Sequence, residues 1–330
     1  MAGGLLLGVS GMEMILQQFI NGLTVGSMYA LIALGYTMVY GVLMLLNFAH
    51  GDLFMVGSYV AILVLSLAGI TGGLGLVALG GVLLALFLAG AFASSSMGVI
   101  IEKAAYKPLR QSSRLAPMIS ALGVSMVLEN GAMLVAGRAP RVFPSAIFPQ
   151  QNYHVLGASF SNLQVFILVV SALLMLTLYW MVNRTIFGLQ IRAVAENRAT
   201  ASLMGVNVDQ TISLVFIIGP ALGAAAGVMF SMYYGIAFFN MGFTAGLKAF
   251  TAAVLGGIGN IPGAMLGGIL LGLLEAFGAG LLPIITGGLM GPEYKDIFAF
   301  LVLVVVLIFR PMGLLGERIP MESMTWKRSF

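Results

Sequence analysis

Residues 76–98, LVALGGVLLALFLAGAFASSSMG, run for 23 positions without an ionisable side chain. As a helix rising about 1.5 Å per residue the segment would be roughly 35 Å long, enough to cross a hydrocarbon core about 30 Å thick. Similar apolar runs lie near 15–34, 52–68, 117–136, 163–182, 211–234, 263–281 and 297–309. Two further stretches are irregular. Residues 36–47 are apolar but too short to cross unaided, and 243–259 are interrupted by Lys248, Gly256, Gly257 and Gly259. The pattern predicts an all-α, polytopic helical membrane protein with eight to ten transmembrane helices and with broken or half-helices near 36–52 and 240–260.

Composition points the same way. Only 8% of the 330 residues are charged, against roughly a quarter in a soluble domain, so polar groups could not cover the surface of a soluble fold. Ten spans of about 20 residues would use roughly 200 positions, which leaves short loops and reads residues 1–330 as a single transmembrane domain. The chain has no Cys, which excludes disulfides, Cys-ligated zinc, iron–sulfur clusters and thiol nucleophiles. Before Met14 there is no Lys or Arg, hence no basic n-region of a cleaved signal peptide. The apolar patch 5–9 is too short to span, and residues 1–13 are expected to be peripheral.

Orientation follows from the basic residues, because cytoplasmic loops near span ends are enriched in Lys and Arg. Lys103, Lys107, Arg110 and Arg114 fall in one loop, Arg184, Arg192 and Arg198 in a second, and Arg310, Arg318, Lys327 and Arg328 in the tail. Counting spans between them is self-consistent. It places 102–116, 183–209 and the tail 311–330 in the cytoplasm, and 137–162 and 282–296 outside. The side of the N-terminus stays open, since it depends on whether 36–47 completes a crossing.

Three stretches carry chemistry. The first, NFAHGDLFMVGSY at 47–59, sets Asn47, His50 and Asp52 between two apolar runs, with Gly51 where the backbone could turn. Ionisable groups at bilayer depth cost about 2.5–3.5 kcal/mol on insertion scales and are usually tucked inside a bundle. Either the three residues cap two half-helices and satisfy one another, or a broken helix offers them to a polar solute. The second stretch runs from Asn240 to Gly268 and holds Lys248 among Gly and Ala, a packing composition. Lys248 needs a partner; Asp52, Glu129 and Glu275 are the intramembrane carboxylates available, and a solute carboxylate is the alternative. The third, 186–209, suits a short surface helix outside the membrane. Arg192 and Glu196 are spaced to pair, Ala193, Ala199 and Leu203 form another face, and Gly205 acts as a stop. Such a helix could dock into a groove on a partner protein or lie on lipid.

There is no GxxxxGK[ST] phosphate loop and no HExxH, so the chain is not expected to hydrolyse ATP, and only His50 and His154 could serve as imidazole bases. No paired carboxylates or Ser/His arrangement supports an intramembrane enzyme.

The runs NGLTVGSMYALIALGYTMVYGV (21–42), NFAHGDLFMVGSY (47–59), IRAVAENRATASLMGVN (191–207), MGFTAGLKAFTAAVLGGIGNIPGAMLGG (241–268) and GPEYKDIFAFLVLVVVLIFRPMGLLGER (291–318) closely resemble LivH-type permeases. These are membrane subunits of the bacterial high-affinity branched-chain amino-acid ABC importer. The resemblance covers residues 15–318. It implies import of Leu, Ile, Val or related amino acids across the inner membrane, by a heterodimer with a homologous second permease subunit. It also implies two cytoplasmic ATP-binding subunits, a periplasmic solute-binding protein, no cofactor held by this chain and no nucleic-acid partner. The family's ATPase-docking loop matches 186–206, with Arg192, Ala193, Glu196, Asn197 and Gly205, while Glu129 stands where the family pattern leads one to expect a neutral polar residue. Asn47, His50, Asp52, Asn240 and Lys248 are the expected pathway residues. The rivals are a permease for urea or short amides, which shares the break at 47–51, and an ion-coupled secondary transporter using Asp52, Glu129 or Glu275.

Overall fold

The computed structural model describes residues 2–316 other than Gln111, Arg114, Gln150, Leu156 and Met290. Arg114 and the tail basics Arg318, Lys327 and Arg328 therefore lie outside the described residues. Seven helices among the described residues are long and apolar enough to cross a membrane. In chain order the helices are α1 (Ala2–Leu43), α2 (His50–Leu67), α3 (Leu76–Ile101), α4 (Leu115–Ala136), α5 (Asn162–Arg184), α6 (Ile186–Glu196), α7 (Arg198–Leu203), α8 (Val208–Tyr234), α9 (Met241–Gly256), α10 (Ile261–Ile285) and α11 (Lys295–Phe309). The shorter apolar helices are α9, with 16 residues, and α11, with 15.

The break expected within 36–52 falls at its far end. Residues 36–43 continue α1 as one helix, because nothing in them interrupts the backbone hydrogen bonds; the chain leaves helical geometry at Met44, whose φ is 53°. It then folds back into the bundle. His50, the first residue of α2, lies against Gly35 with its ring edge-on to Tyr36 at 4.9 Å. Gly35 is eight residues before the end of α1, so α2 starts about 12 Å inside that end. Residues 2–13, expected to be peripheral, are helical and continuous with α1.

Short strands gather at one face. β1 (Arg141–Val142) pairs antiparallel with β4 (Ile236–Ala237), and β2 (Asn152–Val155) forms a hairpin with β3 (Ala158–Ser161). The N-terminal half of α1 reaches this hairpin face: Gln17 Oε1 accepts from Ser159 N at 2.9 Å. Its other end reaches the basic face, where Arg198 Nη2 donates to Val42 O at 2.9 Å. The question left open by the sequence is thereby answered relative to the fold, since α1 begins on the face that carries 137–162.

Small residues set the core. Helices α1 and α10 run antiparallel along Gly22, Gly26 and Ala30 against Gly268 and Gly272. A methyl at Gly26 would sit 2.8 Å from Ile269 Cα, a distance that packed carbon atoms do not tolerate. By contrast α4 buries only Pro117, Ala121 and Ser125.

Candidate functional site

Asn47, His50 and Asp52 come together at the start of α2, all essentially buried. They do not cap one another. Ala49 occupies the N-cap position with no side-chain hydrogen bond, and Asp52 sits in the first turn, where the helix dipole favours an anion. Asn47 Oδ1 accepts from Tyr106 Oη at 3.1 Å, while Asn47 Nδ2, both His50 ring nitrogens and both Asp52 carboxylate oxygens lack hydrogen-bond partners among the described residues. Gly242 of α9 packs on Asp52, and Ser125 and Glu129 of α4 face it. Five such polar atoms on three side chains are unusual in a protein interior, and the three side chains do not satisfy one another.

Lys248 is partnered elsewhere. Its Nζ lies 3.0 Å from Glu275 Oε1 and 2.8 Å from Asp296 Oδ1. Lys295 reaches the same Glu275 oxygen at 2.7 Å, and Tyr29 Oη donates to Glu275 Oε2 at 2.9 Å. Of the three carboxylates the sequence offered, the fold selects Glu275 and adds Asp296 from α11, a residue that sequence spacing could not connect to Lys248. Asn240 caps the start of α9 without a side-chain hydrogen bond; it is eight residues, about 12 Å, from Lys248 and outside the network.

The loop 186–206 forms two helices, not one. Thr185 caps α6 through Gly188 N, and Asn197 ends α6 and caps α7 through Thr200 N. Gly205, at φ 85°, closes α7, with Val206 N donating back to Ala201 O at 3.0 Å. The expected pair between Arg192 and Glu196 does not form. Arg192 donates instead to Val182 O in the last turn of α5, where carbonyls have no helical partner. The expected Ala193, Ala199 and Leu203 face is also replaced: Ile191, Val194 and Ala201 are buried, while Ile186, Leu189, Leu203 and Met204 face outward. Glu196 and Asn197 are exposed beside them.

Sequence reasoning missed two groupings. On the basic face, buried Glu102 in a wide π turn pairs with Arg110 and accepts from Ser213 Oγ at 3.0 Å, and Asp209 binds Arg110 at 2.6 Å and Lys107 at 2.7 Å. Burial, with Arg110 nearby, holds the Arg198 guanidinium below its usual range. Their opposite charges on neighbouring loops were the available signal. On the hairpin side, a cavity of about 560 Å³ opens between α2 and α4, walled by Met55, Val56, Leu63, Val127, Leu128 and Ala132. Tyr59 and Arg141 also line it. Tyr59 Oη is buried without a partner, and Arg141 Nε donates to Ala136 O at 2.7 Å.

The pattern of the family described as "Branched-chain amino acid transport system / permease component" matches residues 18–307, nearly the whole bundle. The chain belongs to this permease family. Among its relatives, the high-affinity branched-chain amino acid transport system permease protein BraD of Pseudomonas aeruginosa is 46% identical over 92% of this permease and 96% of its own length. LivH of Escherichia coli K12 is 43% identical over 92% and 96%. A probable LivH of Methanocaldococcus jannaschii is 28% identical over 94% and 95%. No solved structure matches the permease. Its relatives are transport permeases, which is consistent with a role in the passage of a solute.

Proposed function

We propose that the permease carries Leu, Ile, Val or related hydrophobic amino acids across the bacterial inner membrane, as one of two homologous membrane subunits of an ABC importer. Two separate cytoplasmic subunits bind and hydrolyse ATP, a periplasmic solute-binding protein delivers the solute, and this chain holds no cofactor. The observation that carries the reading is the family match across residues 18–307, with 46% identity to a branched-chain amino-acid permease over 92% of the chain.

The charge pattern supports the sidedness. Lys107, Arg110 and Arg198 share one face, which supports a cytoplasmic assignment of that face and, with the basic residues of the tail, of the C-terminus. Arg141 and the β2/β3 hairpin then face the periplasm. On the cytoplasmic side, α6 and α7 present Ile186, Leu189, Leu203 and Met204 outside the spans, next to Arg192, Ala193, Glu196, Asn197 and Gly205. An apolar patch with charged neighbours suits docking into a groove of the ATPase. Closure of the ATPases would push on this patch and rock the packed helices between outward and inward states. Asn47, His50 and Asp52, with their unpaired groups, Asn240 at the start of α9, and Lys248 are the residues assigned to the pathway.

Uptake of labelled leucine into membrane vesicles containing the assembled transporter tests the reading. Leucine uptake should require the ATPase subunits and resist competition by urea. Uptake that persists without the ATPases and collapses with the proton gradient, or that urea abolishes, would overturn it. Glu196→Ala should reduce ATPase co-purification while leaving the permease in the membrane, because the exposed Glu196 side chain makes no hydrogen bond or ion pair among the described residues; undiminished co-purification would refute the docking surface.

A further inference from the structure

The cavity between α2 and α4 combines apolar walls with two unspent polar groups at its mouth. Its volume of about 560 Å³ falls within the range of roughly 300–1,000 Å³ typical of small-molecule sites. Arg141 spends one N–H on the last carbonyl of α4, and its two terminal nitrogens have no partner among the described residues. The planar guanidinium is suited to hold a carboxylate by two parallel hydrogen bonds. Beside it, the Tyr59 hydroxyl is buried yet makes no hydrogen bond, a cost usually recovered by a ligand or water.

We infer that this cavity is the station at which the solute enters this permease, with Arg141 holding the solute carboxylate, Tyr59 donating to it, and the walls of α2 and α4 taking the aliphatic side chain. The inference rests on the amino-acid reading above and deepens it. An acyl chain by itself would fill the walls but leave the guanidinium and phenol without a partner, and a phospholipid that also brought its phosphate to Arg141 would leave leucine uptake indifferent to the variants below; an aliphatic amino acid satisfies both ends of the cavity. It also excludes urea on chemical grounds, since a neutral amide offers Arg141 no carboxylate. One turn of α2 per step leads from Tyr59 towards Asp52, seven residues and about 10 Å further in. There the two unpaired Asp52 oxygens, facing Ser125 and Glu129 of α4, offer the solute ammonium its next partner.

Kinetics of leucine uptake into vesicles holding the complete transporter test this with three variants. Arg141→Met removes a charged hydrogen-bonding partner and should raise KM about tenfold to a hundredfold at unchanged membrane level, with Arg141→Lys recovering part of the loss. Gly131→Leu puts an aliphatic side chain into the cavity from a position where an added Cβ meets nothing within 4 Å, so it should fold and still cut uptake about tenfold. Unchanged KM in Arg141→Met together with unchanged uptake in Gly131→Leu would overturn the inference, as a lipid-filled groove would produce. Loss of the second permease subunit on purification of Gly131→Leu would also overturn it, by making the cavity a subunit interface. If the unaltered transporter imports leucine, indifference of the variants sinks this inference alone; if it imports none, the amino-acid reading falls and takes the inference with it.

Discussion

The seam between α1 and α10 and the cleft between α2 and α4 are built from the same apolar alphabet and do opposite things. Along the seam, Gly22, Gly26, Gly268 and Gly272 bring two backbones into direct contact, so that an added methyl at Gly22 would sit 2.8 Å from Leu273 Cα. In the cleft, Gly131 of α4 faces open space, and the helix buries only three of its residues. Inside a membrane there is no hydrophobic force to close a gap between helices, because lipid tails are as apolar as side chains. Close packing must therefore be made by shape, and where shape is not matched a cavity persists. The comparison teaches that glycine in this chain has two meanings, close approach and absence of bulk, which composition cannot separate.

Five substitutions probe that contrast. Gly272→Leu should have the largest effect, forcing α1 from α10 at a cost of about 3 kcal/mol or more, read as loss of monodisperse folded protein in detergent. Retention of normal thermal stability would show that the seam is not closely packed.

Next comes the ion-pair network at one end of the seam. Glu275→Leu strips Lys248 and Lys295 of their shared buried carboxylate and should destabilise by about 3–5 kcal/mol. Lys248→Met leaves Glu275 bound to Lys295 and Tyr29, and should cost about 1–2 kcal/mol less than Glu275→Leu in the same thermal unfolding series. The reverse order would make Lys248 the centre of the network. Smallest is Gly131→Ala, which adds a methyl to open space and gains helix propensity. It should raise stability by about 0.5–1 kcal/mol, whereas the same change at Gly26 lowers it. A loss at Gly131 would mean that α4 is closely packed there.

Much of the fold was legible because a bilayer constrains sequence strongly: length and absence of charge mark each span. The break within 36–52 was legible, but the fusion of 36–43 to α1 was not, since an apolar run shorter than a span reads as a half-helix whether or not it is fused to its neighbour. Asn47, His50 and Asp52 were legible as out of place at depth, but whether they satisfy one another depends on side-chain directions at the start of α2. Arg192 and Glu196 have the spacing of a helical pair and do not make it, because an unpaired carbonyl at Val182 competes for the guanidinium. Arg141 carried no signal at all. It is one of two arginines in a polar loop, and its place at the mouth of a cavity exists only because β1 pairs with β4.

What the sequence determined alone is the solvent this protein lives in, its helical class and the family it belongs to, all of which are local properties of runs of residues. Which carboxylates hold Lys248, which face α1 starts from and where space is left between helices were decided by tertiary structure. Each depends on residues distant in the chain meeting at a few ångströms, and no spacing along a single segment encodes such a meeting.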